Sequence, residues 1–170
     1  TAVTMLLFSL EAARFFLPGF NRLIYSQLNG LFKLEEFRQI TGATSFCLAA
    51  LIALIVFPKE IIVMAFLFST LGDPAAAFIG SRFGRLKKNQ LQGSNRIPLH
   101  RKTVEGSLSF FLVSVSVVII LWGFGIIEMF WWPLIGAFTG ALIEYLPLPV
   151  DDNFSVPLTS GGAVMLLSTI

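Results

Sequence analysis

Apolar residues fall into six runs separated by polar or charged stretches: Ala2 to Leu17, Gly42 to Phe57, Ile61 to about Gly80, Gly106 to Gly123, Ile126 to Leu146 and Pro157 to Ile170. A helix needs about 20 apolar residues to cross ~30 Å of hydrocarbon, with some latitude. The pattern therefore predicts an all-α, polytopic helical membrane protein of about six spans, folded as a single domain over residues 1–170. The first run reads as the end of a longer span, and the sixth is uncharged but short. The third contains Gly72-Asp73-Pro74, where a helix break is expected, because Pro suits the first position of a restarting helix and Asp its cap. Between the first two runs, Leu23, Ile24, Leu28 and Leu31 have roughly helical spacing among Arg22, Gln27 and Asn29. Leu34 and Phe37 continue beside Lys33, Glu35, Glu36 and Arg38, so Gly19 to Thr41 predicts an interfacial amphipathic segment broken near Asn29-Gly30.

Composition agrees. The chain is 55% hydrophobic and 13% charged, with a mean hydropathy of +0.81, whereas a soluble domain carries about 25% charge. The single cysteine, Cys47, lies in an apolar run and reads as a small buried hydrophobe. The single histidine, His100, sits in a basic loop. Thr1 opens inside an apolar stretch, so an N-terminal segment is expected ahead of it.

Charge placement tests the topology. If every run crosses, the segments after the first, third and fifth share a side. Arg14, Arg22, Lys33, Arg38, Arg82, Arg85, Lys87, Lys88, Arg96, Arg101 and Lys102 fall there, 11 of the 12 cations, with Lys59 opposite. The positive-inside rule makes that face cytoplasmic. Glu11, Glu35, Glu36, Asp73, Glu105, Glu144, Asp151 and Asp152 fall at or near the same face; Glu60 and Glu128 lie opposite.

Eight carboxylates beside that many cations are more than a membrane anchor requires. Asp73 lies well inside an apolar run, where an ionisable residue marks function by default. Arg82 to Lys102 holds seven cations and no acid. Arg82, Arg85, Lys87 and Lys102 are candidates for holding a polyphosphate, and Gly80 and Gly84 permit close backbone approach. The competing reading is a polybasic loop on anionic lipid. Lys102 and Glu105 are three apart and would share a helix face. Glu144, in the last turn of the fifth run, needs a cation or metal partner, since an acid is unfavourable at a helix C-terminus. Asp151-Asp152-Asn153 suits Mg²⁺ or another divalent cation, although the same residues are common in turns. Asp73 and Glu144 join this candidate metal set. The parts together are those of phosphoryl transfer.

At these residues a family pattern emerges. Gly72-Asp73-Pro74-Ala75-Ala76-Ala77-Phe78-Ile79-Gly80, Gly84-Arg85-Leu86-Lys87, Lys102-Thr103-Val104-Glu105-Gly106-Ser107, Glu144, Asp151-Asp152-Asn153 and Pro157-Leu158 resemble the polyprenol kinase family. That family comprises dolichol kinase, phytol kinase and CTP-dependent diacylglycerol kinase, and is related to the phosphatidate cytidylyltransferases. Glu11, Arg14, Glu36 and Gly42-Ala43-Thr44 resemble its upstream positions. The sequence departs where the family usually carries a basic, histidine-containing segment before the first complete span, and in placing Pro after Asp73 where Thr or Ser is frequent.

The resemblance implies a CTP-dependent kinase that phosphorylates the hydroxyl of a membrane lipid alcohol, either an isoprenoid or diacylglycerol. Asp73, Glu105 and Lys102 are the candidate catalytic residues, and CTP and a divalent cation the expected cofactors. The expected partners are the lipid alcohol and the bilayer, without nucleic acid; an oligomer is compatible. The expected location is a membrane with the active face cytoplasmic: the plasma membrane in a prokaryote, the endoplasmic reticulum or a plastid membrane in a eukaryote. The rivals are a cytidylyltransferase acting on a lipid phosphate and, from another class, an ion-coupled transporter using Asp73. A transporter should carry charge accessible from both sides, and here the opposite face is nearly bare.

Overall fold

The computed structural model describes residues 2–17, 19, 41–84 and 102–168. Among them are six helices and no strand: α1 (Ala2–Phe16), α2 (Gly42–Val56), α3 (Lys59–Phe83), α4 (Val104–Gly123), α5 (Trp131–Tyr145) and α6 (Asp152–Ser168). The expected interfacial segment, apart from its ends, and the basic residues from Arg85 to Arg101 lie outside the described residues. By length and composition, α3 and α4 are long and apolar enough to cross a membrane, and α2 is a shorter apolar helix. At 1.5 Å per residue α3 is about 37 Å long.

Short polar side chains set the helix starts. Thr41 Oγ1 accepts from the Thr44 N–H at 3.4 Å, and Thr103 Oγ1 accepts from the Gly106 N–H at 3.1 Å. Asp151 Oδ1 accepts from the Asn153 N–H at 2.8 Å, which caps α6. At the far end of α4 the Ile126 N–H reaches Leu121 O and the Gly125 N–H reaches Trp122 O. This Schellman closure needs a left-handed residue, which Gly125 supplies at φ 68°.

Three expectations change. The third run does not break: α3 runs through Pro74, which only deletes the bond to the Thr70 carbonyl. Asp73 is therefore inside a helix and caps nothing. Packing on α4 from Gly72 and Ala76, either side of the proline, holds the two halves in line. The fifth helix begins at Trp131 rather than Ile126, because the closure of α4 uses the intervening residues. The sixth begins at Asp152, with Pro157 enclosed and buried.

The helices pack around an apolar core. α3 lies on α4, α4 on α5, α5 on α6 and α6 on α3; α2 packs against α6, and α1 against α2. Gly72, Ala76, Gly80 and Gly84 recur every fourth residue on α3 and bring α4 close, as small residues do between membrane helices. A Cβ on Gly80 would stand 2.7 Å from Thr103 Oγ1, and one on Gly106 2.9 Å from the Ala76 carbonyl oxygen. The fully buried Phe110 ring fills the space between Gly72 and Gly140 of α5. Large apolar side chains such as Ile55, Leu71, Leu112, Ile120 and Phe138 face outward. An exterior of that kind suits lipid rather than water. At the α1–α2 corner, buried Glu11 accepts from Arg14 at 3.1 Å, from the Thr41 N–H at 3.0 Å, and from the Thr41 and Thr44 hydroxyls.

Gly72→Ala tests the α3–α4 crossing. The new Cβ would meet the Phe110 ring at 2.5 Å, and overpacking of a filled interior costs about 1–3 kcal/mol. The expected outcome is a lower unfolding midpoint in detergent, and an unchanged midpoint would show that the crossing is loose.

Candidate active site

One end of the four-helix arrangement holds a cleft of about 430 Å³, formed by the C-terminal turns of α3 and α5 and the N-terminal turns of α4 and α6. On α3 it is lined by Ala76, Ala77, Gly80 and Ser81, and around α4 by Lys102, Thr103, Gly106 and Ser107; Glu144 and Asp152 complete it. The α3–α4 crossing makes the walls. Gly80 and Gly106 line it, but the space a Cβ would take at each is filled by Thr103 Oγ1 and, at Gly106, by the Ala76 carbonyl, so both glycines serve the close crossing.

Lys102 ties three segments together at the mouth. Its Nζ donates to Asp152 Oδ1 at 2.7 Å and to the Leu146 carbonyl at 3.1 Å, and lies 3.9 Å from Glu144 Oε2. The cation that Glu144 requires at the end of α5 is thus Lys102, which also satisfies a terminal carbonyl of that helix. Lys102 does not pair with Glu105: it precedes the Thr103 cap, so helical spacing does not govern it. Glu105 lies in the first turn of α4 and is not among the cleft-lining residues.

Asp73 lies one helical turn below the lining residue Ala77 and is not itself among the cleft-lining residues. Ser81, Ala77, Asp73 and Ser69 succeed one another every four residues and so share one face of α3. Exposure falls along this column from exposed Ser81 and Ala77 to buried Ser69. Asp73 Oδ2 accepts from the Ser69 hydroxyl at 3.1 Å, whereas Oδ1 is buried without a hydrogen-bond partner among the described residues. Lys102 thus joins Asp152 and Glu144 at the mouth, and Asp152, Lys102 and Asp151 act electrostatically on Asp73.

The remaining candidates lie elsewhere. Asp151 is exposed, and one of its carboxylate oxygens accepts from the Asn153 N–H at the start of α6; Asn153 does not line the cleft. Arg82 is exposed, with its guanidinium 5.1 Å from the centre of the Phe78 ring. Gly84 ends α3 against Thr103. Arg85 and Lys87 are outside the described residues. Among the described residues no three acidic, histidine or cysteine side chains converge as metal ligands. Mg²⁺ does not need three, since one or two carboxylates plus substrate phosphates commonly hold it. Ser69, Ala76, Thr103, Gly106 and Ser107 received no role from the sequence. For those at the α3–α4 crossing, the four-residue recurrence of small residues at 72, 76, 80 and 84 is a signal that could have found them; for Ser69, on another face of α3, the sequence carries none.

Three curated fungal proteins align with nearly the whole chain. A Schizosaccharomyces pombe protein is 27% identical over 94% of this chain and 75% of its own length. A Saccharomyces cerevisiae protein is 25% identical over 92% and 58%, and one from Eremothecium gossypii 27% identical over 89% and 52%. Each is named CTP-dependent diacylglycerol kinase 1. The chain is a relative of the CTP-dependent diacylglycerol kinases. It spans three quarters of one of these kinases and a little over half of the other two. Neither a family model nor a solved structure matches. Kinship with these kinases supports the resemblance drawn from the motifs, and the cleft gathers residues from four of the motif segments: 76–81, 102–107, Glu144 and Asp152.

Lys102→Ala would leave Asp152 and Glu144 facing each other without a cation. Loss of a charged, partly buried hydrogen bond costs about 1–3 kcal/mol. The unfolding midpoint should fall in chelator and recover at least in part when Mg²⁺ is added, because a divalent cation can replace the ammonium between the carboxylates. A fall that Mg²⁺ does not lessen would show that the site has no use for a metal.

Proposed function

We propose that this chain is a membrane-embedded, CTP-dependent kinase that transfers a phosphoryl group to a lipid alcohol, diacylglycerol or a related alcohol, with about six spans and the cleft facing the cytoplasm. The observation that carries the reading is the cleft: one lysine held among carboxylates where two helices cross closely, with a buried oxygen of a further carboxylate one turn below its lining, in a chain similar to enzymes of that name. The 11-to-1 distribution of cations supports the cytoplasmic face.

The donor set is entirely hard oxygen, which suits Mg²⁺. Asp152 and Glu144, at the mouth, would hold the ion, and its chemistry when bound is to neutralise nucleotide phosphates that the carboxylates would otherwise repel. Lys102 would meet the same phosphates, and the arginines and lysines between Arg82 and Lys102 remain the further candidates from the sequence for that role. The acceptor hydroxyl reaches Asp73 from the lipid side, since its hydrocarbon tail remains in the bilayer. Its proton passes to Asp73 Oδ1, its oxygen forms a bond to the γ-phosphorus, and the bond from that phosphorus to the β–γ bridging oxygen breaks. The bridging electrons remain with CDP, and the product is the lipid phosphate.

A cytidylyltransferase would bring its phosphorylated lipid to the α-phosphorus instead. The buried Asp73 oxygen below the cleft lining favours the kinase, because a neutral hydroxyl must lose a proton whereas a lipid phosphate is already an anion.

Asp73→Asn is the direct test. Asp73 is mid-helix and caps nothing, so Asn preserves size while removing the proton acceptor. General-base catalysis contributes about 10²–10⁴-fold, so kcat should fall by that order while the unfolding midpoint and CTP binding persist. Turnover near that of the parent would remove Asp73 from the chemistry.

A further inference from the structure

Hydroxyls within these helices have a default partner. Ser9, Thr70, Ser116, Thr139 and Ser160 each donate to the carbonyl four residues back. Such back-bonding satisfies the hydroxyl locally and asks nothing of other side chains. Ser69 is 1% exposed and departs from this habit, since its hydroxyl donates forward, 3.1 Å to Asp73 Oδ2. The bond fixes which carboxylate oxygen is engaged and leaves Oδ1, itself buried, as the oxygen with an unmet acceptor. The same face of α3 continues through Ala77 and Ser81, both of which line the cleft.

We propose that Ser69 is a positioning residue, which holds the Asp73 carboxylate so that Oδ1 is presented to the acceptor hydroxyl. The assignment rests on the kinase reading above and extends it below the cleft. Ser69 itself touches neither nucleotide nor lipid. It lies a full turn deeper than Asp73, and its single hydrogen is committed to Oδ2. Its contribution is therefore to the rate of the step in which the proton leaves, and not to nucleotide affinity. A purely structural serine would act in the opposite way, through stability and through both kinetic constants. Alanine at 69 would free Asp73 to rotate about its side-chain bonds, and would remove a donor that stabilises the carboxylate.

The test uses the whole purified chain in diacylglycerol-containing micelles, with CTP and Mg²⁺, comparing the parent, Ser69→Ala and Ser69→Thr. Loss of a residue that orients a functional ligand commonly costs about 10–100-fold in activity. Ser69→Ala should lose kcat to that extent with KM for CTP and the unfolding midpoint unchanged, and Ser69→Thr, which keeps the hydroxyl, should recover most of it. Parent-like kcat in Ser69→Ala overturns the assignment and leaves the kinase reading standing. So does a loss that Ser69→Thr fails to recover while the unfolding midpoint drops, which marks a packing role. A parent chain without phosphoryl transfer overturns both.

Discussion

The close crossing of α3 and α4 is the constraint from which the rest follows. Small residues every fourth position on α3 meet Gly106 on α4, with a Cβ at either glycine closer than 3.0 Å to an oxygen of the other helix. That approach sets Thr103 against Gly80 and so carries Lys102 to the place where α5 ends and α6 begins. Lengthen the separation and Lys102 no longer spans from α4 to Asp152; the cleft walls part, and the carboxylates lose their cation. The same crossing holds α3 straight through Pro74, which keeps Asp73 in register below Ala77 and Ser81.

Electrostatics then give the site its direction. At the mouth, Lys102 pairs with Asp152 and lies beside Glu144. Hard oxygen donors of this kind suit a divalent cation and, through it, a polyphosphate. Deeper in, a single carboxylate is held by a single serine. The two levels match the two tasks of phosphoryl transfer: charge neutralisation at the phosphates, and removal of a proton from the attacking hydroxyl. Large apolar side chains turned outward complete the arrangement, around an apolar core that includes Phe68 and Phe110.

Much of this was legible in the sequence. Each apolar run contains a helix, and Asp73, Lys102, Glu144 and Asp152 stand at one end as the alternation of spans required. What was not legible has physical reasons. Helix limits shifted where a closure depended on local turn chemistry, as at Gly125, or where a proline was tolerated inside packed helices, as at Pro74 and Pro157. The pairing of Lys102 with Asp152 joins residues 50 apart in the chain, which no local spacing reveals, whereas the local Lys102–Glu105 spacing misled because the helix starts after the lysine. Ser69 escaped notice because a helical serine ordinarily bonds to its own backbone, and only the coordinates show it turned to Asp73.

The central claim is that the bond broken lies between the β- and γ-phosphates of CTP. Purified full chain in diacylglycerol micelles, supplied with CTP labelled separately at the α- and γ-phosphorus, decides it when the products are separated by chromatography. The account predicts γ-label in the lipid fraction and α-label in CDP. Label from the α-phosphorus in lipid, with release of pyrophosphate, would contradict it and make the protein a cytidylyltransferase.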